Sequence, residues 1–235
     1  MEGPSSSATT WGYLYSTSDA GRTWGRLGSG SFSGPVSFVT DGDGFALTGP
    51  QPGGLEVTHD AGESWAPVEL ALPPGETGAV YDDALPVAVA GGDLVLPAIV
   101  GGETDQGFVS STLAFYTATD LGVTWQLAGT LSDPTFGQDS GDVAVAVVDA
   151  RTWFVVSPAG GVHETIDGGL SWTTVATVPD LHGVVEASFG SPTVGWALVA
   201  GHGCTGNKAG CSTWSEVFRT IDGGRTWSAV PLPSP

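Results

Sequence analysis

Thr165-Ile166-Asp167-Gly168-Gly169-Leu170-Ser171-Trp172 and Thr220-Ile221-Asp222-Gly223-Gly224-Arg225-Thr226-Trp227 are two copies of one pattern, T-x-D-x-G-x-[TS]-W, and their reading decides the fold. Three more copies precede them, at Thr17-Ser18-Asp19-Ala20-Gly21-Arg22-Thr23-Trp24, Thr58-His59-Asp60-Ala61-Gly62-Glu63-Ser64-Trp65 and Ala118-Thr119-Asp120-Leu121-Gly122-Val123-Thr124-Trp125. Only the third opens on Ala instead of Thr. Every position suits a tight hairpin turn. The Asp carboxylate accepts from nearby backbone N–H groups, and the Gly supplies positive φ. The hydroxyl bonds across the turn, and the Trp opens the next strand. Asp19, Gly21, Trp24, Asp60, Gly62, Trp65, Asp120, Gly122, Trp125, Asp167, Gly169, Trp172, Asp222, Gly224 and Trp227 are therefore expected to be structural, and the five acids are staples rather than sites.

The position five before each Asp is Leu14, Leu55, Phe115, Val162 or Val217, apolar every time, which marks a strand face turned to a neighbouring sheet. The repeats recur about 40 to 60 residues apart, the length of four short strands with their loops. The expected fold is an all-β propeller of four-stranded antiparallel blades, four full blades plus the outer half of a first. Residues 1–9 form a flexible N-terminus, and 10–235 a single domain. Its first blade is partial, 10–30, followed by blades at 35–70, 78–130, 141–178 and 183–232.

The motifs resemble the Asp-box or BNR-like repeats of sialidases, sortilin-type receptors, xyloglucan-cleaving glycosidases and photosystem II assembly factors. The resemblance implies that the motif lies between the third and fourth strands of each blade. It also implies that ligands bind on the opposite side. It is specific for fold and unspecific for activity. Thr10–Asp19 aligns without gaps on Thr213–Asp222, so Trp11 belongs to a third strand and the first blade lacks its inner half. The expectation is an incomplete ring, a piece of a six- or seven-bladed propeller.

With 37 Gly, 16 Pro and nine Trp, the composition is one of strands and turns. Six Lys+Arg against 25 Asp+Glu give a net charge of −19, which disfavours nucleic acid or anionic lipid as partner. No apolar run is long enough to insert into a membrane. The polar start Met1-Glu2-Gly3-Pro4 lacks a signal-peptide pattern. Cys204 and Cys211 can close one small loop as a disulfide, which points to an extracytoplasmic protein. Two free thiols, or a zinc site with His202, are the alternatives, the latter short of a fourth ligand.

The loops opposite the repeat turns are expected at 28–36, 49–54, 70–85, 99–108, 130–143, 157–161, 177–184 and 200–212. They offer Tyr81, Asp82, Asp83, Glu103, Asp105, Phe136, Asp139, His182 and His202 as ligand-binding candidates, along with Asp133, Asp142 and Lys208. A sialidase needs clustered guanidinium groups to hold a carboxylate. Arg22, Arg26, Arg151, Arg219 and Arg225 all fall outside these loops. Another glycoside hydrolase would need two spaced carboxylates, which Asp82, Asp83, Glu103 and Asp105 could supply. Thr40-Asp41-Gly42-Asp43-Gly44 reads as a hairpin turn rather than a calcium loop. Trp11, Trp153, Trp196 and Trp214, outside the motif, are expected to pack between blades rather than stack on sugars. No catalytic residue, metal or cofactor is assigned. The reading is a non-enzymatic scaffold that binds a protein or a glycan, with a glycoside hydrolase or a structural repeat of a larger surface protein as alternatives.

Overall fold

The computed structural model describes residues 12–27, 32–48, 54–80, 85–104, 107–136, 143–204 and 211–231. The chain is all-β, with one 3₁₀ turn at Pro179–Leu181 as the sole helical element among the described residues. A short hairpin of β1 (Tyr15–Ser16) and β2 (Gly25–Arg26) stands for the first blade. Blade 2 is β3 (Phe32–Phe38), β4 (Gly44–Thr48), β5 (Gly54–Thr58) and β6 (Ala66–Pro67). Blade 3 has its first strand in two pieces, β7 (Gly78–Val80) and β8 (Val87–Ala88), both paired with β9 (Leu94–Thr104), then β10 (Gly107–Ala118) and β11 (Gln126–Ser132). Blade 4 is β12 (Ala144–Val147), β13 (Trp153–Val156), β14 (Gly161–Thr165) and β15 (Thr173–Thr177). Blade 5 is β16 (Val184–Phe189), β17 (Gly195–Cys204), β18 (Cys211–Thr220) and β19 (Ser228–Ala229). All strand pairs are antiparallel, and apart from β7, which pairs β9 past β8, they join neighbours in sequence, which gives the four-stranded blades of a propeller.

Each repeat turn joins the third and fourth strand of its blade and is built alike. In the last copy, the Thr220 hydroxyl accepts from Gly224 N at 2.9 Å and donates to Asp222 Oδ1. The carboxylate also accepts from Thr226 N at 2.9 Å and from the Thr226 hydroxyl at 2.6 Å. The residue after the Asp is left-handed as well as the Gly, including Ala20 (φ 58°), Ala61 (φ 59°) and Leu121 (φ 57°). These donors hold the acids below their ordinary range. Asp19 is lowered to about 2 chiefly by the Thr23 N–H, and Asp60, Asp167 and Asp222 are lowered to about 2 chiefly by the hydroxyls of Ser64, Ser171 and Thr226. Their stabilisation is present above the unfolded pKa near 3.8 and is lost as pH falls toward 2.

The third turn lacks the opening hydroxyl, and Asp120 keeps only its two bonds to Thr124. Ala118 is buried to 3% exposure in the place that Thr58, Thr165 and Thr220 fill at 1%. Ala118→Thr is expected to stabilise the protein by about 1 kcal/mol by giving Gly122 N–H the hydroxyl acceptor that Thr58, Thr165 and Thr220 provide in their turns. A urea titration checks it.

The core lies between blades. One cluster joins Phe45, Leu47 and Leu55 of blade 2 to Leu96, Ala98 and Tyr116 of blade 3. A second joins Val95 and Phe115 to Trp153 and Val155, and a third joins Val156 and Val162 to Val184, Val199 and Phe218. The constant apolar position five before the Asp thus faces the following blade, with Leu55, Phe115 and Val162 each no more than 1% exposed.

Of the four tryptophans expected to pack between blades, Trp153 does so fully, while Trp11 lies outside the described residues. Trp196 and Trp214 depart from that expectation, at 41% and 49% exposed. The reason for Trp196 is positional. Phe45, Val95 and Phe154 hold the equivalent register place, one residue after the partner of the turn's opening position. Each of those is covered by the next blade, as Phe154 is by Phe189 stacked at 3.9 Å. Trp196 points to the outward face of blade 5, where the described residues supply no such cover.

Candidate functional site

The two sides of the blades are chemically distinct. The repeat turns of blades 2, 4 and 5 are bonded to the turn between the first two strands of their blade: Ala61 N donates to Gly42 O, Gly168 N to Arg151 O and Gly223 N to Thr193 O, all at 2.9 Å. In the same way His59 Nδ1 meets Asp43 Oδ1 at 2.7 Å, while Asp43 is closed by the Thr40 hydroxyl as a plain hairpin turn. Antiparallel pairing sends the second-to-third strand turns and the links between blades to the other side.

There the blades differ in height. In blade 4, β13 and β14 have 4 and 5 residues and are joined by a tight turn, with Ser157 N donating to Gly161 O at 2.8 Å. In blades 3 and 5 the matching strands have 11 and 12, and 10 and 10, residues. At about 3.4 Å per residue, those hairpins rise roughly 20 Å above the low turn of blade 4. Stretches 99–108 and 200–212, expected as loops opposite the repeat turns, are mostly paired strand among the described residues. Glycine is poor in strands, yet a hairpin closed on both flanks carries it. The low turn is tied to its neighbours: Val178 N donates to Gly160 O, Gly183 N to Pro158 O and Ala200 N to Gly183 O. The resulting surface is a saddle over blade 4, walled by the two tall hairpins.

At the join of blades 3 and 4 lies a buried polar network. His163 on β14, 7% exposed, meets Asp133 Oδ2 through Nε2 at 3.2 Å and the Thr174 hydroxyl through Nδ1 at 3.1 Å. Asp133 follows β11 and also accepts from Thr135 N and the Thr135 hydroxyl. Burial pushes the His163 pKa below 6.5, against the opposing pull of Asp133. Burial raises Asp133, but the Thr135 and His163 bonds outweigh it and leave it lowered. A neutral imidazole fits this placement, with Nε2–H donating to the carboxylate and Nδ1 accepting from Thr174. The unfolded chain binds a proton at His163 more readily than the folded one, so stability rises with pH across this titration and is lost as pH falls below about 6.5. Melting curves between pH 7.5 and 5 should show this loss, and His163→Gln, which keeps both hydrogen-bonding ends, should flatten it.

The candidates read from the sequence fare unevenly. Tyr81, Asp82, Asp83, Asp105 and Asp139 lie outside the described residues, as do Asp142 and Lys208. Glu103 and His202 stand near the far ends of the tall hairpins, opposite Phe108 and Thr213 in register. His182 is exposed on the saddle, just after the 3₁₀ turn. Phe136 is a correction: it is fully buried with Leu131 and Trp153 in the core between blades 3 and 4, so it packs and offers no face to a ligand. The Asp133–His163–Thr174 network escaped the sequence reading because His163 holds a variable position of its repeat and meets Asp133 only across the seam of two blades. All five arginines lie toward the repeat-turn side. Arg225 reaches Asp222 O, Arg219 lies over the Trp196 ring, Arg26 lies over Tyr13, Arg22 is in a repeat turn, and Arg151 is in the turn bonded to one.

A depression of about 430 Å³ opens at the root of the blade 5 hairpin, lined by Ala200, Gly201, Thr213, Trp214 and Ser215. The indole of Trp214 rests on Gly201, where an added Cβ would come within 2.5 Å of the ring. No group of three or more metal-ligating side chains occurs among the described residues.

The fold is a β-propeller of four-stranded antiparallel blades. No protein-family model and no curated protein sequence matches the chain. Among solved structures it is similar to the GH74 xyloglucanase from Xanthomonas campestris, with a TM-score of 0.57 and 18% identity over 96% of this chain and 32% of that one. An ancestral GH74 enzyme gives a TM-score of 0.56 and 18% identity over 92% of this chain and 28% of that one. The α-L-arabinanase of Penicillium chrysogenum complexed with arabinobiose gives 0.50 and 13%, over 83% of this chain and 65% of that one. The chain spans about a third of the length of the two GH74 enzymes. At these identities the likeness is one of fold.

Proposed function

We propose that the chain is a non-enzymatic propeller scaffold that binds a protein or a glycan through the saddle opposite the Asp-box turns, outside the cytoplasm. The observation that carries this reading is the asymmetry of height. Two hairpins of 10 to 12 residues rise on one side only and flank a blade whose own strands have 4 and 5. On the other side the repeat turns of blades 2, 4 and 5 are bonded to neighbouring turns. The acidic surface, with net charge −19, favours neutral or cationic partners over nucleic acid and anionic lipid. No helix among the described residues is long and apolar enough to cross a membrane. Cys204 and Cys211 are register partners at the end of the blade 5 hairpin, a placement that suits a cross-strand disulfide in an oxidising compartment. Alkylation of the native protein that labels both cysteines only after reduction is the expected result.

Glycan-array binding together with turnover of aryl glycosides tests the reading. Binding without hydrolysis is expected. Hydrolysis that Glu103→Gln or Asp82→Asn abolishes would replace the scaffold by a glycoside hydrolase.

A further inference from the structure

We infer that Trp214 is the stacking platform of a neutral-sugar subsite on the inner wall of the saddle; this rests on the proposed binding face and names the ligand class it takes. On β18, Phe218 faces blade 4 and is 5% exposed, as is its paired neighbour Ala197 at 1%. Side chains two apart share a strand face, so Glu216 and Trp214 continue this face beyond the blade body, toward the space over the low turn of blade 4. Trp214 is nevertheless 49% exposed, far more than a core tryptophan such as Trp153 at 0%. Unlike Trp196, whose face is left open at the edge of blade 5, Trp214 is half in water on the face that looks toward the saddle, with its apolar ring open to a ligand there.

The way the ring is held supports that use. Its register partner is Gly201, and a methyl group there would strike Cζ2, Cε2 and Nε1 at 2.5 to 2.9 Å. One ring face is thus laid against bare backbone. The hairpin gives up a side chain to seat the ring. On the ring's own strand face Glu216 is exposed two residues further along β18, while Thr213 and Ser215, which also line the depression, alternate to the other face. A flat aromatic surface with one carboxylate on the same strand face matches a pyranose, whose axial C–H groups form an apolar face and whose hydroxyls can donate to the carboxylate. An acidic sugar is disfavoured by Glu216 and by the absence of any arginine on this side. A cationic peptide would use the carboxylate but would not need the ring seated flat on backbone.

Affinity electrophoresis of the full chain through gels containing soluble β-glucan, xyloglucan, mannan, galactan or polygalacturonate tests the assignment. Retardation by at least one neutral polysaccharide, and none by polygalacturonate, is expected. Trp214→Ala should weaken it about tenfold or more, and Trp214→Phe should retain part of it. Gly201→Ala should weaken it by unseating the ring. Trp196→Ala, the exposed tryptophan on the other face of the same blade, should leave it unchanged. Circular dichroism confirms that each variant is folded. Retardation that survives Trp214→Ala would overturn the subsite while leaving the binding face in place. Absence of retardation in every neutral gel, including the case of a peptide ligand found instead, overturns the sugar assignment alone, and hydrolysis of the polysaccharide overturns the scaffold reading itself.

Discussion

Trp153→Ala is expected to lower the unfolding free energy by about 3 to 5 kcal/mol, the range for truncating a large aromatic in a close-packed core. Trp153 is fully buried at the seam of blades 3 and 4, stacked on Phe115 at 5.2 Å and tilted against Trp172 at 6.4 Å. Its Nε1–H donates to Asp149 O at 2.9 Å, so truncation also strips that carbonyl of a partner. The cavity cannot collapse easily. The ring lies against the left-handed Gly169 of the repeat turn, where an added Cβ would sit 2.7 Å from it, and that turn is fixed by four bonds from Thr165 and to Asp167. Chemical denaturation monitored by fluorescence gives the number. Trp196→Ala is the internal contrast. Its ring is 41% exposed, and a loss under about 1 kcal/mol is expected there. Equal losses for the two would mean that burial does not distinguish them.

That contrast also shows what the sequence could and could not reveal. The repeat turns were legible because turn chemistry is local: hydroxyl, carboxylate, glycine and tryptophan all act within eight residues, and the bonds found at Asp167 and Asp222 are those expected of the motif. One local feature still went unseen. The position after the Asp is left-handed even when it is Ala20, Ala61 or Leu121, residues whose identity gives no sign of it. The strand face carrying Leu55, Phe115 and Val162 was legible from its constancy, though not which neighbour it met. Tryptophan fate was not legible, because exposure at Trp196 and Trp214 depends on what lies across a blade, and neither residue's own strand encodes that. The saddle was missed for a related reason. Glycines at 101, 102, 201 and 203 look like loop, and only pairing across the hairpin reveals strands. His163 and Asp133 are 30 residues apart on different blades, so their contact exists only once the blades pack.

Gly129→Ala is the second large effect, expected to cost about 3 kcal/mol through overpacking that nothing nearby can relieve. Gly129 lies on β11, the outer strand of blade 3, opposite Phe115 and beside the register shift between Phe115 and Tyr116. A Cβ built there runs into the carbonyl of Gly169, with Gly169 C at 2.8 Å and Leu170 N at 3.6 Å, so the obstacle is backbone rather than a side chain that could swing away. Gly169 cannot retreat, since Trp153 lies behind it and the Thr165 hydroxyl holds its N–H at 3.0 Å. The two blades must part instead. Gly25→Ala is the matched control, an outer-strand glycine of the first hairpin whose Cβ would meet nothing within 4 Å, and it should be neutral or stabilising by a few tenths of a kcal/mol. Because blades 3 and 4 carry one tall hairpin and the low turn between them, widening their seam also reshapes the saddle. Gly129→Ala should therefore weaken ligand retention as well as stability, whereas Gly25→Ala should change neither. If Gly129→Ala denatures at the same urea concentration as the unsubstituted protein, the close approach of β11 to the blade 4 turn is wrong, and the spacing assigned to the binding face is wrong with it.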